Sequence, residues 1–374
     1  MTSKTKKNLR VGIDARLAYR RGVGTYTANL ILALSKIDRR DEYFIFNAPK
    51  DLKDAVTNPR FHWVKVGFTN AAYYEQVLLP WAARRQKVDL LHYVDNSASA
   101  TIDIPFVLTL HDTMHTRSLW EVRPKPTFRQ RMIHRYKQWA IPRSVPKAQA
   151  ILTVSEFSKE QILRNMGVPK EKVFAIPEGV DLRVFQKSAK RATNLFKILV
   201  HGAADNRKNI PNILKAARLL ADELRNFQLV IIGMDQDELN CTTYLQEVEA
   251  LKLARYVEWM GNIPNEMVGS IYHEVDLFLY PSRLEGFGLP VLEAFASGVP
   301  VITSNTTSLP EVAGKAAFLV NPEDPAAMAQ AMRRMMDSKV LRKKYIRLGL
   351  QRAKQFSWEK TAKQTLKVYE GVLV

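Results

Sequence analysis

The chain has 374 residues, 46% of them hydrophobic and 25% charged, a composition that excludes an intrinsically disordered protein. At roughly 150 residues per domain this length predicts two domains, and the single cysteine excludes a fold held by internal disulfides. The net charge of +19 is concentrated early: residues 1–190 hold 33 Lys and Arg against 17 Asp and Glu, whereas residues 191–374 hold 23 against 20.

In chain order, the N-terminus is basic over residues 1–7 and becomes strand-like over 9–13, so we expect no signal peptide there. No run of about 18 apolar residues follows that could span a bilayer. With Cys241 as the only cysteine, a reducing compartment is expected. These features predict a cytoplasmic protein, with peripheral attachment to the inner face of the plasma membrane as a further prediction.

The first half alternates strand-like apolar runs with helix-like periodic runs, which indicates a parallel sheet wrapped by helices. Its predicted elements are a helix over Thr25–Lys36 and strands over Arg10–Ile13, Tyr43–Phe46, Leu90–Val94, Phe106–Leu110 and Ile151–Val154. The later strands end in polar residues. In open α/β sheets ligands bind at these carboxyl ends.

A mixed-charge stretch, Asp181–Asn194, is the predicted linker to a second alternation of the same kind. Its predicted elements are strands over Phe196–His201, Gln228–Gly233, Asp276–Tyr280 and Val299–Ile302, and helices over Asn209–Leu220 and Pro290–Ser297. Both halves are therefore predicted to be Rossmann-like, doubly wound α/β domains. Loops from both sheets would line a cleft between them.

The most informative motif is EGFGLPVLE over residues 285–293. Pro290 suits the first turn of a helix, so a glycine-rich turn leads directly into a helix N-terminus, where unpaired N–H groups and the positive dipole end favour a diphosphate. Glu293 is expected in the first helical turn, where its carboxylate accepts both ribose hydroxyls, and Glu285 faces the sugar side. The predicted ligand-binding residues of this stretch are Gly286, Phe287, Gly288, Leu289 and Glu293.

A second motif, HGAADNRKNI over residues 201–210, lies between a predicted strand and a helix. Arg207 and Lys208 are adjacent cations that can neutralise a pyrophosphate at the helix start. Gly202 is placed with them on the phosphate-binding turn. The alternative is a solvated basic turn.

Two features of the first half are weaker evidence for a ligand-binding site when each is taken alone. Gly22 and Gly24 let the backbone approach a ligand closely, but Thr27 occupies the third glycine position of a dinucleotide fingerprint, so a simple tight turn is the alternative. His111 stands at the carboxyl end of a buried strand, where a structural histidine is the alternative. His92, His115 and His134 are predicted to be structural.

The 285–293 motif, together with Gly298-Val299-Pro300, resembles the E-x7-E signature of the retaining GT-B glycosyltransferases of family 4. The resemblance extends over nearly the whole chain. It implies a GT-B fold with two Rossmann-like domains facing a central cleft. Residues 1–185 would form the acceptor-binding domain, residues 195–355 the nucleotide-sugar-binding domain, and residues 356–374 a helix that crosses back to the first domain.

The resemblance also implies residue roles. The catalytic set would be His111, close to the donor sugar and the reacting bond, with Glu285, Lys208 and Arg207. The Gly22–Gly24 loop would line the acceptor side. One departure is Ala203, where many family members have Arg, so the cationic clamp would depend on Lys208 and Arg207.

The family's usual mechanism has no covalent glycosyl enzyme: the leaving diphosphate takes the acceptor proton, and cations stabilise its developing charge. We find no second carboxylate near His111 that would serve as a nucleophile. No Asp-x-Asp motif for a metal stands out, so neither a metal nor a cofactor is expected.

Three functions remain open at this stage. The first is a hexosyltransferase with a lipid-linked or polysaccharide acceptor, held at an anionic membrane surface by the basic first domain. The stretch Arg117–Lys147 mixes basic residues with aromatic ones such as Trp120 and would supply an amphipathic surface for the membrane. The alternative is a solvated helix with its aromatic residues in the core. The others are a transferase for a small phosphorylated acceptor and a catalytically silent anion-binding protein.

The partners follow from these functions. A nucleotide sugar is the expected donor. GDP-mannose is favoured because the Arg-Lys-Asn loop and the His-Asp strand end resemble those of bacterial mannosyltransferases. UDP-sugars are the alternative. No motif that reads RNA or DNA is visible, so no nucleic acid partner is expected.

Overall fold

The computed structural model describes residues 8–18, 20, 22–67, 70–119, 126–183, 185, 195–240, 242–264 and 267–373. Cys241, Trp120 and residues 184 and 186–194 of the predicted linker lie outside the described residues. The chain divides into two compact units. The first comprises Met1–Thr116, Phe128–Gly179 and Trp358–Val374, and the second Arg117–Thr127 and Val180–Ser357.

The first unit is built on a seven-stranded sheet. Its strands are β1 (Arg10–Asp14), β2 (Glu42–Phe46), β3 (Phe61–Val64), β4 (Leu90–Tyr93), β5 (Phe106–Thr109), β6 (Ala150–Thr153) and β7 (Val173–Ala175). They lie in the order β3-β2-β1-β4-β5-β6-β7, and every pair is parallel. Every residue of β4, β5 and β6 is buried, which explains why these segments are mostly apolar rather than alternating.

Helices connect these strands. They are α1 (Val23–Ile37), α2 (Lys50–Ala55), α3 (Ala71–Tyr73), α4 (Leu79–Arg85), α5 (Phe128–Ser144) and α6 (Glu156–Met166). A π-helical turn, Tyr74–Leu78, joins α3 to α4, and short 3-10 turns occur at Met114–Thr116, Val145–Lys147 and Lys170–Lys172. Insertions of π-helix are uncommon and often mark functional segments.

The second unit has a six-stranded parallel sheet. Its strands are β8 (Phe196–His201), β9 (Phe227–Ile232), β10 (Val257–Gly261), β11 (Leu277–Tyr280), β12 (Val301–Ser304) and β13 (Phe318–Val320), in the order β10-β9-β8-β11-β12-β13. Its helices are α7 (Ile210–Glu223), α8 (Gln236–Asn240), α9 (Tyr244–Ala250), α10 (Val268–His273), α11 (Leu289–Ala296), α12 (Leu309–Ala313), α13 (Pro325–Asp337) and α14 (Lys339–Ala353). Further 3-10 turns lie at Asn206–Lys208 and Ala254–Tyr256.

The last helix, α15 (Trp358–Gly371), belongs to the first unit, where it packs against α1. In the second unit, α7 and α13 pack against each other and share one buried cluster with strand residues such as Leu229 and Leu279. Each sheet is thus buried by helices of its own unit.

Each sheet has one point at which the strand order reverses. In the first sheet it lies between β1 and β4, and in the second between β8 and β11. Loops leaving the carboxyl ends of strands at such a point diverge and form a crevice for ligands. We therefore expect ligand-binding residues at these two points.

Candidate active site

The two motifs of the second unit meet at its strand reversal. β8 and β11 are hydrogen-bonded neighbours, so the turn after β8, which carries Arg207 and Lys208, lies beside the turn after β11, which carries Glu285. The backbone joins the turns directly, because the N–H of Arg283 donates to the carbonyl oxygen of Arg207 at 2.8 Å. The structure thus brings together residues that the sequence separates widely.

Lys208 and Glu285 form an ion pair, with 2.7 Å between Nζ and Oε1. Tyr280, the last residue of β11, donates its hydroxyl to the same Oε1 at 2.7 Å, and Lys208 donates to the Tyr280 hydroxyl oxygen. Burial raises the pKa of Glu285, but the charges of Lys208 and Arg207 outweigh burial and hold the pKa below its usual value. Glu285 is therefore ionised at neutral pH and fixes the position of the Lys208 ammonium.

Arg207 pairs with a buried acid, Asp205, which the sequence analysis did not single out. The distances are 2.8 Å from Nη2 to Oδ2 and 3.2 Å from Nε to Oδ1, and Asp205 Oδ1 also accepts the backbone N–H of Arg207. The guanidinium is thus oriented by Asp205, which also offsets part of its charge.

The glycine turn before α11 has a conformation that requires glycine at one position. Gly288 has a φ of +113°, and a Cβ there would lie 2.6 Å from Cδ2 of Leu309. The hydroxyl of Ser308 donates to the carbonyl oxygens of Glu285 and Phe287, at 3.0 and 2.8 Å. The turn therefore delivers the Leu289 N–H, the first of α11, to the carboxyl edge of the sheet. Pro290 has no N–H, and the N–H of Val291 donates to the carbonyl oxygen of Gly288 at 2.9 Å.

Glu293 is the fifth residue of α11, so the prediction that it lies in the first helical turn is wrong by about one residue. Its carboxylate accepts a hydrogen bond from the hydroxyl of Tyr272 at 3.1 Å. That hydroxyl also lies 3.2 Å from the carbonyl oxygen of Pro290 and 3.4 Å from Nε2 of His201. Tyr272, on α10, orients the carboxylate, and no pattern near it in the sequence signals this contact.

The remaining predicted residues of this unit lie in the turns after β8 and β11. Gly202 follows β8, and a Cβ there would lie 2.9 Å from side-chain atoms of Ile231 and Met234. Gly286 lies within the turn after β11. The Phe287 side chain is buried and makes an edge contact with Phe356, 6.0 Å between ring centroids.

In the first unit, Gly22 ends the turn between β1 and α1, and Gly24 is the second residue of α1. Gly22 has a φ of +70°, and a Cβ on Gly24 would lie 2.3 Å from the carbonyl oxygen of Leu17, so both positions favour glycine. The same turn carries Arg16, whose Nη2 lies 2.6 Å from Oε2 of Glu75 in the π-helical turn. Glu75 was missed from the sequence because it lies 59 residues away.

His111 follows β5 and is buried. A carboxylate that the sequence did not indicate lies beside it: Oε1 of Glu178 is 3.7 Å from its Nδ1. Glu178 comes from the loop after β7, and β5 and β7 flank β6 in the sheet, so the fold joins residues that the chain separates. His92, by contrast, bonds Tyr369 through Nδ1 at 2.6 Å, and burial lowers its pKa to about 3.

The part of the chain that the structure describes contains neither a metal-binding cluster nor a membrane-spanning helix. There, no three His, Cys, Asp or Glu side chains are grouped so that they could hold a metal ion. In the same residues, no helix combines the length and apolar character needed to cross a membrane.

Comparison with known proteins gives two family matches. The model for glycosyl transferases group 1 matches residues 183–352, and the model for glycosyltransferase family 4 matches residues 20–184. The O-antigen chain mannosyltransferase B of Escherichia coli is 32% identical over 246 residues, which cover 63% of this chain and 64% of that protein. The MMP alpha-(1->4)-mannosyltransferase of Mycolicibacterium hassiacum is 30% identical over 310 residues, covering 78% of this chain and 72% of that protein.

Among solved structures, Anabaena Alr3699/HepE in complex with UDP and glucose resembles this chain with a TM-score of 0.73 at 14% identity, covering 97% of this chain and 100% of that one. This is a likeness of fold. It confirms the prediction of an α/β architecture of the GT-B type with two Rossmann-like units. The chain belongs to the glycosyltransferases of family 4, as its motifs predict, and is thus a glycosyltransferase by family.

Proposed function

We propose that this chain is a retaining hexosyltransferase that moves mannose from GDP-mannose to a lipid-linked or polysaccharide acceptor at the cytoplasmic face of a membrane. The observation that carries the proposal is the Lys208–Glu285 pair, 2.7 Å apart, beside a helix that starts at the strand reversal of the second sheet. This strand reversal thus offers a cation, a helix N-terminus and a carboxylate. Together they suit the diphosphate, the ribose and the sugar of a sugar nucleotide.

In this proposal, the diphosphate, the ribose and the sugar of the donor each contact different residues. Lys208, Arg207 and the positive end of α11, with the Leu289 N–H, would hold the diphosphate. Glu293, oriented by Tyr272, would accept the ribose hydroxyls, and Glu285 would accept sugar hydroxyls. The ion pair of Lys208 with Glu285 means that the ammonium is in place before the donor arrives, which reduces the reorganisation needed during the reaction.

In the proposed mechanism the acceptor attacks on the face that the leaving diphosphate vacates. The bond from the anomeric carbon to the diphosphate oxygen breaks as the bond to the acceptor oxygen forms, and the diphosphate takes the acceptor proton. Lys208 and Arg207 stabilise the negative charge that develops on the leaving group. The products are the glycosylated acceptor, in the donor's anomeric configuration, and the nucleoside diphosphate, and no metal or cofactor takes part.

Mannose is favoured because both reported relatives are named mannosyltransferases, at 32% and 30% identity. The first of these supports the whole activity less strongly, because this chain covers 64% of its length. UDP-sugars are the alternative, since the structural neighbour from Anabaena is a complex with UDP and glucose.

The membrane part of the proposal is supported by the exposed face of α5. Phe128, Met132, Arg135, Trp139 and Arg143 follow one another at spacings of three or four residues and all are exposed, so they share one helical face. Phe128 is 71% and Trp139 43% exposed, so these aromatic residues do not lie in the core. Aromatic and Arg side chains on one exposed helical face are typical of helices that lie at an anionic lipid surface.

A second segment with exposed apolar residues is hydrogen-bonded to α5. Tyr73, Val77 and Trp81, on α3, the π-helical turn and α4, are all exposed. The hydroxyl of Tyr136 on α5 joins the two segments, because it donates to Glu75 Oε1 at 2.6 Å and accepts from Gln76 Nε2 at 2.7 Å. Two neighbouring helical segments would then contact the same lipid surface.

A thermal-shift screen against GDP, UDP and ADP tests the donor part. We expect GDP to raise the melting temperature of the wild-type chain with increasing occupancy. Lys208→Ala should weaken GDP binding about tenfold or more, because it removes a charge-assisted contact of about 1.5–3 kcal/mol. Lys215→Ala, an exposed lysine on α7, is the matched control and should respond like wild type.

The possible results separate the alternatives. A response to UDP alone would replace GDP-mannose with a UDP-sugar as the donor. No response to any of the three nucleotides, or an unchanged response in Lys208→Ala, would contradict the proposed donor site.

A further inference from the structure

The His111 ring is held in one orientation by the surrounding backbone. Its Nε2 lies 3.0 Å from the carbonyl oxygen of Val94. Because a carbonyl oxygen only accepts, Nε2 must carry a proton. The backbone N–H of His111 donates to Asn96 Oδ1 at 2.6 Å, and the Tyr26 ring contacts the imidazole edge-on at 4.9 Å. Only Nδ1 remains to interact with a ligand.

Nδ1 faces a buried carboxylate. Oε1 of Glu178 lies 3.7 Å away, and the side chains of His111 and Glu178 are 10% and 8% exposed. If His111 were neutral with its proton on Nε2, the Nδ1 lone pair and a carboxylate oxygen would face each other as two acceptors in a site that admits little water. Such an arrangement is unfavourable. A second proton on the ring, at Nδ1, removes the conflict.

The other groups around the ring favour the same state. The titratable groups that face it are Glu178, Asp95, His92 and Tyr26. Asp95 is itself paired with Lys137 at 3.3 Å, and His92 is neutral because burial lowers its pKa to about 3. Burial also lowers the pKa of His111, but Glu178, the Val94 carbonyl and Asp95 outweigh burial and raise the pKa above its usual value.

We propose that Glu178 is a positioning residue that keeps His111 doubly protonated, so that His111 meets the substrate as a hydrogen-bond donor and not as a general base. The substrate in this statement rests on the proposed function. The 3.7 Å separation is longer than a hydrogen bond, so Glu178 favours the charge of the ring while the Nδ1 proton remains available to a substrate oxygen.

The consequence is a division of roles at the reacting bond. A doubly protonated imidazole stabilises negative charge on an oxygen but cannot take a proton from the acceptor hydroxyl. The acceptor proton must then go elsewhere, and the proposed mechanism gives it to the leaving diphosphate.

The test is an NMR titration of the full chain with 13C-labelled histidine. The seven histidines give separate Cε1 signals, and the variant His111→Asn identifies the signal of His111 by its loss. We expect the wild-type midpoint of His111 to lie above the ordinary value of about 6.5. Glu178→Gln, which removes the charge but keeps the size, should lower that midpoint by about one pH unit or more.

The control is Glu171→Gln, an exposed carboxylate in the Lys170–Lys172 turn, which should leave the His111 midpoint unchanged. A wild-type midpoint below about 6.5, or the same midpoint in wild type and Glu178→Gln, would overturn the proposal. If Glu178→Gln does not fold, the wild-type midpoint alone decides. The titration needs no ligand, so its failure and the failure of the donor-site test are distinguishable.

Discussion

Glu285 is the residue that does most to organise the second unit's site. Its Oε1 accepts from both Lys208 and Tyr280, so one carboxylate holds a cation and a hydroxyl in fixed positions. An unpaired lysine is a flexible point charge that must be ordered when a ligand binds. The pair therefore removes an ordering cost from donor binding.

The ionisation of Glu285 should also contribute to stability. Because folding lowers its pKa, this contribution is complete above the unfolded-state pKa, near 4.5, and is lost as the pH falls through the folded-state value. We expect Glu285→Gln to lower the free energy of unfolding by about 1–3 kcal/mol at pH 7. The difference from wild type should shrink as the pH falls below that unfolded-state value.

Urea unfolding of wild type and variant at a series of pH values measures this difference. Glu249→Gln, which neutralises an exposed carboxylate on α9, serves as the control and should show no such pH-dependent loss. A difference between Glu285→Gln and wild type that stays constant down to acidic pH would count against an ionic role for Glu285.

At the residue scale, the sequence indicates which residues could carry the chemistry but not which other residues they contact. Glu285, Lys208 and Glu293 belong to motifs that could be recognised from local spacing. Tyr272 and Glu178 act across contacts that only the fold creates: Tyr272 and Glu293 lie on different helices, and Glu178 reaches His111 because β5 and β7 share a sheet. No local pattern encodes such contacts.

At the scale of elements, the start of α11 depends on a single backbone conformation. Gly288→Ala should destabilise the protein by about 1–3 kcal/mol, because φ is +113° and the added Cβ would clash with Leu309. It should also weaken GDP binding, since the Leu289 N–H at the start of α11 would move. The melting temperature and a GDP titration measure the two effects.

Gly67→Ala is the matched control for this variant, because a Cβ at Gly67 meets nothing within 4 Å. Normal stability and normal GDP affinity in Gly288→Ala would show that the turn has no such constraint.

The exposed face of α5 makes a separate prediction about lipid binding. Wild-type chain should float with vesicles that contain anionic lipid at low salt and should not float at high salt, because screening weakens the attraction. Arg135→Glu, on that face, should reduce flotation strongly. Arg347→Glu changes the net charge equally at an exposed position on α14 and should reduce flotation less.

Equal loss of flotation in both variants would mean that net charge, and not the α5 face, attracts the vesicles. No flotation of the wild-type chain at low salt would remove the membrane part of the proposal and favour a soluble acceptor.

Central strands could be predicted from the sequence and edge strands could not. β11 is a continuous apolar run and β8 has a buried apolar centre, and for both the predicted bounds agree within a residue. β3, β7, β10 and β13 were not predicted. They lie at the sheet edges, and each includes residues that are not fully buried, so the hydrophobic pattern that identifies central strands is weak there.

At the scale of the whole molecule, each unit places its candidate residues at the strand reversal of its own sheet. In the second unit these are Lys208 and Glu285, after β8 and β11; in the first they are the glycine turn after β1 and, one strand beyond, His111 after β5. The common position follows from the right-handed connections of parallel sheets, which send loops in opposite directions at that point. The surplus of positive charge in residues 1–190 adds a long-range attraction for anionic partners to the first unit.

The most direct measurement is a crystal structure of the chain with GDP-mannose. Our account predicts the diphosphate within hydrogen-bond distance of Lys208 Nζ and of the Leu289 N–H at the start of α11, with the ribose hydroxyls on Glu293. A nucleotide bound elsewhere, or a diphosphate that contacts neither Lys208 nor the start of α11, would contradict the central claim.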